Sequence, residues 1–286
     1  MNLQVWDLKS GRALRTFQGR EWIRAVAVLP DGRRAVSASG NTLYVWDLEG
    51  GRILMGHGDW VEAVVITPDG RRAVSASRDQ TVRLWDLDTE REVRTFKGHT
   101  GYVMTAVVTP NGRRALSGSY DETLRLWDLE SRQTLRKLES HGSIEAVAIT
   151  PDGNRAISGG SGDQKLWLWD LNSGETNGPF FGHVATRAVA ITPDGHRVVS
   201  GGLFHKLGRI WDLDFPQRAP VGHATAISAL AVTQDGCRVV SSSWSKTFAG
   251  LGSEKGGNFA QARRAHQRSL CGRSHAIWAS HRLWRL

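Results

Sequence analysis

Three successive segments of the chain each contain a histidine, a serine and an aspartate in the same order. The three sets are His57, Ser75 and Asp79; His99, Ser117 and Asp121; and His141, Ser158 and Asp163. These residue types form the triad of serine hydrolases, in which the histidine takes a proton from the serine. An enzyme needs one active site, whereas this set recurs, and no serine lies in the G-x-S-x-G context of a nucleophile elbow. We therefore expect structural sets and predict no catalytic residue.

No other pattern of residues indicates a cofactor or a metal ion. The segment GSEKGGN at 252–258 is rich in glycine but does not match a phosphate-binding loop, and the chain has no H-E-x-x-H pair and no calcium loop. Cys237 and Cys271 belong to no CxxC pair, so we interpret each as a buried or incidental thiol. We predict no cofactor and no metal.

The net charge of +9 is concentrated at the C-terminal end of the chain. Residues 248–286 hold Lys255 and six arginines against one acid, Glu254, and so supply six of the nine positive charges. A basic patch is typical of nucleic-acid binding, but residues 1–247 have an ordinary balance of charge. We therefore expect no specific nucleic-acid partner.

Three linked motifs recur along residues 1–247 at one period. Trp-Asp pairs occur at 6–7, 46–47, 85–86, 127–128, 169–170 and 211–212, at spacings of 40, 39, 42, 42 and 42 residues. Turns of the TPDG type begin at 67, 109, 150 and 192, and Gly-His pairs occur at 56–57, 98–99, 182–183 and 222–223. A fixed period of this length is the signature of a repeat architecture.

Each repeat unit reads as four short strands. In the second unit, the apolar run 60–67 ends at a Pro-Asp-Gly turn, and strands at 72–77, 81–87 and 92–96 follow. The strand at 81–87 alternates between apolar and polar residues, as a half-buried strand does. No segment has a sustained helical period. The sequence therefore predicts an all-β protein.

Residues 1 to about 247 resemble the WD40 repeat family, and their TPDGRR-type turns are similar to those of closely spaced bacterial arrays. The resemblance implies a β-propeller with four-stranded blades around a central channel. It implies about six blades, five of them complete and one composite or incomplete.

In that family the histidine, serine and aspartate join the tryptophan of the Trp-Asp pair in a buried hydrogen-bonded network. The corresponding tryptophans here are Trp85, Trp127 and Trp169. A buried histidine needs an acceptor, which the aspartate supplies, and the indole N–H donates to the network. The first repeat has Arg20 and Gly40 at the histidine and aspartate positions, and the fifth has His205 at the aspartate position. We therefore expect repeats two to four to form the rigid centre.

In proteins that resemble this chain, partners often bind the face formed by the Gly-His turns and the loops between the two middle strands. We expect two kinds of exposed position there, one near the start of each innermost strand and one just before the network aspartate. The candidate partner-binding residues are Trp22, Arg24, Trp60, Glu62, Arg78, Tyr102, Met104, Tyr120, Phe204 and Trp244, and the equivalent positions of later repeats hold Ser143, Glu145, Ala185 and Arg187. Aromatic residues and arginine dominate interface energetics. The alternative is that Trp22, Trp60 and Tyr102 cover the channel mouth.

Both ends of the chain interrupt the repeat. The chain begins with NLQVWDL as a third strand, and residues 248–286 stand where another third strand is expected. We predict that this basic tail is disordered and outside the repeat domain. A shift of reading frame at Phe248 would allow a tryptophan at position 251, 40 residues after Trp211. The terminal strands either close a six-bladed ring or leave an open arc.

These observations predict a non-catalytic scaffold with protein or peptide partners. The alternative is a sensor module derived from a larger bacterial signalling protein with a kinase, protease or NTPase domain. No apolar run reaches the length of about 18 residues that a membrane span needs, and the N-terminus has no charged-then-apolar leader. We expect a cytoplasmic protein without a membrane partner.

Overall fold

The computed structural model describes residues 2–7, 9–18, 21–47, 51–54, 56–131, 133–181, 185–202, 207–213, 220–222, 227–235, 238–243 and 248–252. These residues form 25 strands and no helix, which confirms the all-β prediction. None of them forms a helix long and apolar enough to cross a membrane.

The strands form antiparallel sheets, which are numbered here in chain order. The N-terminal pair is β1 (Asn2–Asp7) and β2 (Arg12–Gln18). Sheet 1 is β3 (Ile23–Val28), β4 (Ala35–Ser39), β5 (Thr42–Trp46) and β6 (Gly51–Leu54). Sheet 2 is β7 (Val61–Ile66), β8 (Arg72–Ser77), β9 (Val82–Asp86) and β10 (Arg91–Phe96). Sheet 3 is β11 (Val103–Val108), β12 (Arg114–Ser119), β13 (Thr123–Asp128) and β14 (Thr134–Glu139).

The remaining strands continue the series. Sheet 4 is β15 (Ser143–Ile149), β16 (Arg155–Ser161), β17 (Lys165–Asp170) and β18 (Thr176–Phe181). Sheet 5 is β19 (Thr186–Ile191), β20 (Arg197–Gly202), β21 (Leu207–Asp212) and β22 (Pro220–Gly222). Sheet 6 has three strands, β23 (Ile227–Val232), β24 (Arg238–Ser243) and β25 (Phe248–Gly252).

The sheets are arranged side by side around their first strands. The first strand of each sheet contacts the first strand of the next, from β3 and β7 through to β19 and β23. Because neighbouring strands are antiparallel, the start of the first strand, the end of the second and the start of the third lie at one end of the sheet. We call this the Gly-His end. The architecture is the propeller-like arrangement that the repeat predicts.

The hydrophobic core lies between neighbouring sheets. One cluster joins Ala25 and Val45 of sheet 1 to Val64 and Trp85 of sheet 2, and similar clusters join the later sheets. An aromatic residue on the last strand of a sheet also contacts the tryptophan of the next sheet. These ring pairs are Phe17 with Trp46 at 4.7 Å, Phe96 with Trp127 at 5.5 Å and Phe180 with Trp211 at 6.1 Å between ring centres.

The last sheet extends beyond the predicted domain boundary at residue 247. Strand β25 pairs with β24 from Ser242 opposite Phe248 to Arg238 opposite Gly252, so this sheet includes the five residues that follow the boundary. Strand β1 pairs with β2, and within the described chain it forms no sheet with β24. The composite blade is therefore not formed there, because β25 occupies the edge of β24 that it would need. The prediction of a disordered tail after residue 252 concerns residues outside the described ones.

Candidate protein-interaction surface

One hydrogen bond between a tryptophan and a serine occurs in each of the five four-stranded sheets. In every case the indole Nε1–H on the third strand donates to the hydroxyl on the second strand. The pairs are Trp46 to Ser37 at 2.7 Å, Trp85 to Ser75, Trp127 to Ser117 and Trp169 to Ser158 at 2.8 Å, and Trp211 to Ser200 at 2.9 Å. A buried indole N–H needs an acceptor, so this contact fixes the serine at its position.

Sheets 2 and 3 add a histidine and an aspartate to this bond. His57 Nδ1 lies 2.8 Å from Asp79 Oδ2, and His57 Nε2 lies 2.7 Å from Ser75 Oγ. Since a carboxylate can only accept, Nδ1 donates, and in the neutral ring Nε2 accepts from the serine hydroxyl. The chain of donors therefore runs from the Trp85 indole through Ser75 and His57 to Asp79.

The same network repeats in sheet 3. His99 Nδ1 lies 2.8 Å from Asp121 Oδ2, and His99 Nε2 lies 2.8 Å from Ser117 Oγ. The histidine side chain is 1 % exposed and the aspartate 6 % exposed. The structure thus brings together all four predicted residues of both sets.

The network lowers the pKa of its two carboxyl groups. Burial raises the pKa of Asp79, but hydrogen bonds from His57, from Thr81 and from the Gly58 N–H outweigh it and hold that pKa well below its ordinary range. Asp121 has a lowered pKa for the same reasons, since burial is again outweighed by donors that include His99. Both aspartates are therefore anions that lock the Gly-His turn to the loop between the middle strands.

The prediction that His141 completes a third network is wrong. His141 is exposed, and its ring packs against Trp167 with 5.0 Å between ring centres. Asp163 Oδ2 instead accepts a 2.5 Å hydrogen bond from the Trp167 indole, whose ring lies against His141. Two sequence signals accompany this change. Trp167 replaces the arginine of sheets 2 and 3, and Ser158 and Asp163 are five residues apart rather than four.

Sheet 1 fills the missing aspartate position in another way. Gly40 has a φ of +59°, and a Cβ added there would lie 1.6 Å from a carboxylate oxygen of Glu21. The side chain of Glu21 therefore occupies the space that a side chain at position 40 would need. Arg20 and His205, which stand at network positions of the repeat, lie outside the described residues, as does His183 of the Gly-His pair at 182–183.

Three of the candidate partner-binding residues are half-exposed aromatic side chains. Trp60 is 39 % exposed, Tyr102 43 % and Tyr120 40 %. They lie side by side at the Gly-His end of sheets 2 and 3, and the rings of Tyr102 and Tyr120 are 6.1 Å apart. We call these three residues the aromatic row. Trp22 is half-buried, and Phe204 and Trp244 lie outside the described residues.

Other candidates were expected to be exposed and are buried. Arg24 is 6 % exposed, Glu62 0 % and Met104 3 %. The reason is a register shift at the second residue of β3, β7 and β11, which leaves this residue unpaired in the sheet. Buried charges must be paired, and the structure supplies the partners.

Ion pairs between neighbouring sheets neutralise these buried charges. Glu62 accepts from Arg24 Nη1 at 3.0 Å and from Arg78 Nε at 2.6 Å. In the same way, Arg187 Nη1 of sheet 5 lies 2.6 Å from Glu145 Oε2 of sheet 4. The register position that the sequence analysis assigned to the surface therefore joins the inner strands of adjacent sheets.

Two arginines hold the aromatic row in place. The guanidinium carbon of Arg24 lies 4.1 Å from a ring centre of Trp60, and that of Arg78 lies 5.1 Å from it. Arg78 also lies 5.5 Å from the ring centre of Tyr102 on the next sheet. Cation–π contacts of this kind each contribute about 0.5–2 kcal/mol. Aromatic side chains and arginine thus form one continuous surface across two sheets.

The recurring sheets with one indole–serine bond each define the class, a β-repeat protein with a propeller-like arrangement. The family model of the WD domain, G-beta repeat, matches residues 11–47, 51–86, 90–128, 132–170 and 214–248. These matches cover more than half of the chain, which belongs to the WD40 repeat family. Comparison with curated proteins gave no match. Residues 171–213 fall between the matches, although β19, β20 and β21 within them form the same kind of sheet.

WD40 repeats generally mediate protein–protein interactions and are generally non-catalytic. Within the part of the chain that the structure describes, no group of three or more histidine, cysteine, aspartate or glutamate side chains could hold a metal ion.

Proposed function

We propose that this protein is a non-catalytic scaffold that binds protein partners through the aromatic row. The observation that carries this proposal is the continuity of Trp60, Tyr102 and Tyr120 with Arg78 across two sheets. Half-exposed aromatic side chains held in one conformation bury a large apolar area at a low cost in entropy. Tryptophan, tyrosine and arginine are also the residue types that dominate binding energy at protein interfaces.

The geometry of the histidine networks supports a non-catalytic role. Ser75 and Ser117 are 0 % exposed, and each hydroxyl already accepts a hydrogen bond from a tryptophan N–H. A nucleophilic serine must reach a substrate carbonyl, and these hydroxyl groups are covered by the indole rings. Two identical networks in neighbouring sheets also fit a repeated structural element.

Substitution of aromatic residues inside and outside the aromatic row tests the proposal. Full-length protein is immobilised as the natural sequence, as Trp60→Ala with Tyr102→Ala, and as Trp6→Ala, and the proteins retained from native cell extract are quantified. Trp6 is the control because it is 53 % exposed and lies in the N-terminal pair, outside the aromatic row. Removing a central aromatic anchor costs about 2 kcal/mol or more, which weakens binding roughly 30-fold.

We expect the retained proteins to be lost from the Trp60→Ala, Tyr102→Ala variant and kept by Trp6→Ala. Equal recovery by all three proteins would show that partners bind elsewhere. Circular dichroism of the variants confirms that each is folded.

A further inference from the structure

Arg78 presents two hydrogen-bond donors at the centre of the aromatic row. Its Nε donates to Glu62, and its planar guanidinium lies between Trp60 and Tyr102. The terminal nitrogens lie at the other end of the planar fork, and they make no hydrogen bond to any residue that the structure describes. The side chain is 29 % exposed. A partner in contact with the aromatic row therefore meets this end of Arg78.

The ion pairs beneath the row leave one cation at the surface. Two guanidinium groups, Arg24 and Arg78, share the single carboxylate of Glu62. Glu62 is 0 % exposed and Arg24 is 6 % exposed, so Arg78 is the member of the cluster that reaches solvent. The charge that faces a partner at the centre of the surface is thus a cation with its two terminal N–H groups available.

We propose that the partner binds through an acidic segment, and this inference rests on the function proposed above. An aspartate or glutamate carboxylate of the partner accepts from both terminal nitrogens of Arg78, since the planar guanidinium matches a carboxylate in this bidentate geometry. Apolar residues beside that carboxylate cover Trp60 and Tyr102. Exclusion of water by these rings strengthens the ion pair.

The rim of the aromatic row carries the opposite charge and favours a different partner. Asp59 precedes Trp60, and Glu122 lies two residues after Tyr120. Arg78 forms an ion pair with Glu62 and with no other carboxylate among the described residues, so neither rim acid neutralises it. Charges at a solvated rim contribute little to affinity, whereas a desolvated central group contributes much. The central cation therefore decides the partner's charge.

Selection from a random peptide library tests this inference. A library of random twelve-residue peptides on phage is selected against the full-length protein, and an enriched peptide is synthesised with a copy in which each aspartate and glutamate is replaced by its amide. Both peptides are titrated against the natural protein, Trp60→Ala, Arg78→Gln, Arg78→Lys and Arg71→Gln. Arg71 is the control because it is an exposed arginine at the opposite end of sheet 2.

We expect enriched peptides to contain an acidic residue among apolar ones. The amide copy should bind with an affinity at least about ten-fold lower. Arg78→Gln should remove the difference between the two peptides, and Arg71→Gln should preserve it. Arg78→Lys keeps a cation beside Glu62 and should retain the melting temperature while losing part of the affinity, since lysine cannot form the bidentate contact.

Two outcomes overturn the inference, and they separate it from the proposed function. Enriched peptides that are neutral or basic, and that lose binding on Trp60→Ala, would show that the aromatic row binds partners without an acidic segment. Enriched peptides whose binding is independent of both Arg78 and Trp60 would overturn the proposed function as well.

Discussion

The buried polar side chains of the network depend on one another for hydrogen-bond partners. Ser75 is 0 % exposed, and its hydroxyl lies between the Trp85 indole and His57. Leaving a buried donor or acceptor without a partner costs about 1–3 kcal/mol. The histidine therefore matters most where it is buried between two partners, as His57 and His99 are, and not wherever the sequence motif places one.

Two histidine substitutions separate these cases. His57→Ala removes one hydrogen-bond partner from the buried Ser75 hydroxyl and one from the Asp79 carboxylate, and it leaves a cavity between them. We expect it to lower the free energy of unfolding by about 2–4 kcal/mol. His141→Ala removes an exposed side chain and should change the free energy of unfolding by less than about 0.5 kcal/mol. Urea denaturation of both variants measures the difference. Equal losses would contradict the account of sheet 4.

At the scale of elements, the second strand of one sheet is matched in volume to the first strand of the next. A Cβ added to Gly118 would lie 2.4 Å from Cγ2 of Ile144, too close for the sheets to keep their spacing. The equivalent position holds Ala76 in sheet 2, where the next first strand supplies the smaller Val103 to the same core cluster. Alanine therefore stands opposite valine, and glycine stands opposite isoleucine.

This match predicts a conditional effect of one methyl group. Gly118→Ala should destabilise the protein by about 1–3 kcal/mol, because overpacking forces the neighbouring sheets apart. Ile144→Ala should cost less in the Gly118→Ala chain than in the natural chain, because it removes the Cγ2 atom that the added methyl group meets. A double-mutant cycle in urea measures the coupling. Strictly additive effects of the two substitutions would rule out the contact as the cause.

At the scale of the whole molecule, each sheet stabilises the next, because each core cluster lies between two neighbouring sheets. The last sheet departs from the pattern of the others. Strand β25 pairs with β24 so that Leu251 stands opposite Val239. In sheet 5 the equivalent partner of Val198 is Trp211. Leu251 therefore stands at the register position of the repeated tryptophan, and Gly252 at that of the aspartate.

Restoring the repeated pair should stabilise this sheet. Leu251→Trp with Gly252→Asp places an indole at the register position from which Trp211 donates to Ser200, and Ser241 stands at the serine position. We expect a gain of about 1 kcal/mol in the free energy of unfolding. Adding Ser241→Ala should remove the gain. No gain would show that an indole at position 251 does not form the tryptophan–serine bond of the other sheets.

The sequence by itself determined the strands and the sheets. These depend on local alternation, on turn residues and on hairpin register, all of which act over a few tens of residues of one repeat. The resemblance to the WD40 family predicted Trp60, Tyr102 and Tyr120 at the Gly-His end, where the structure leaves all three half-exposed. It also predicted the tryptophan–serine contacts of sheets 2 to 4.

Only the tertiary structure decided which candidates reach the surface. Arg24 and Glu62 are buried because β3 and β7 each have an irregular register at their second residue. The two side chains, which lie on neighbouring sheets, form an ion pair with each other. His141 lies outside the network, and Trp167 contacts both the His141 ring and the Asp163 carboxylate. The aromatic row is continuous because Arg78 of sheet 2 extends to Tyr102 of sheet 3. Contacts between repeats depend on side-chain packing across sheets, which the period of a single repeat does not encode.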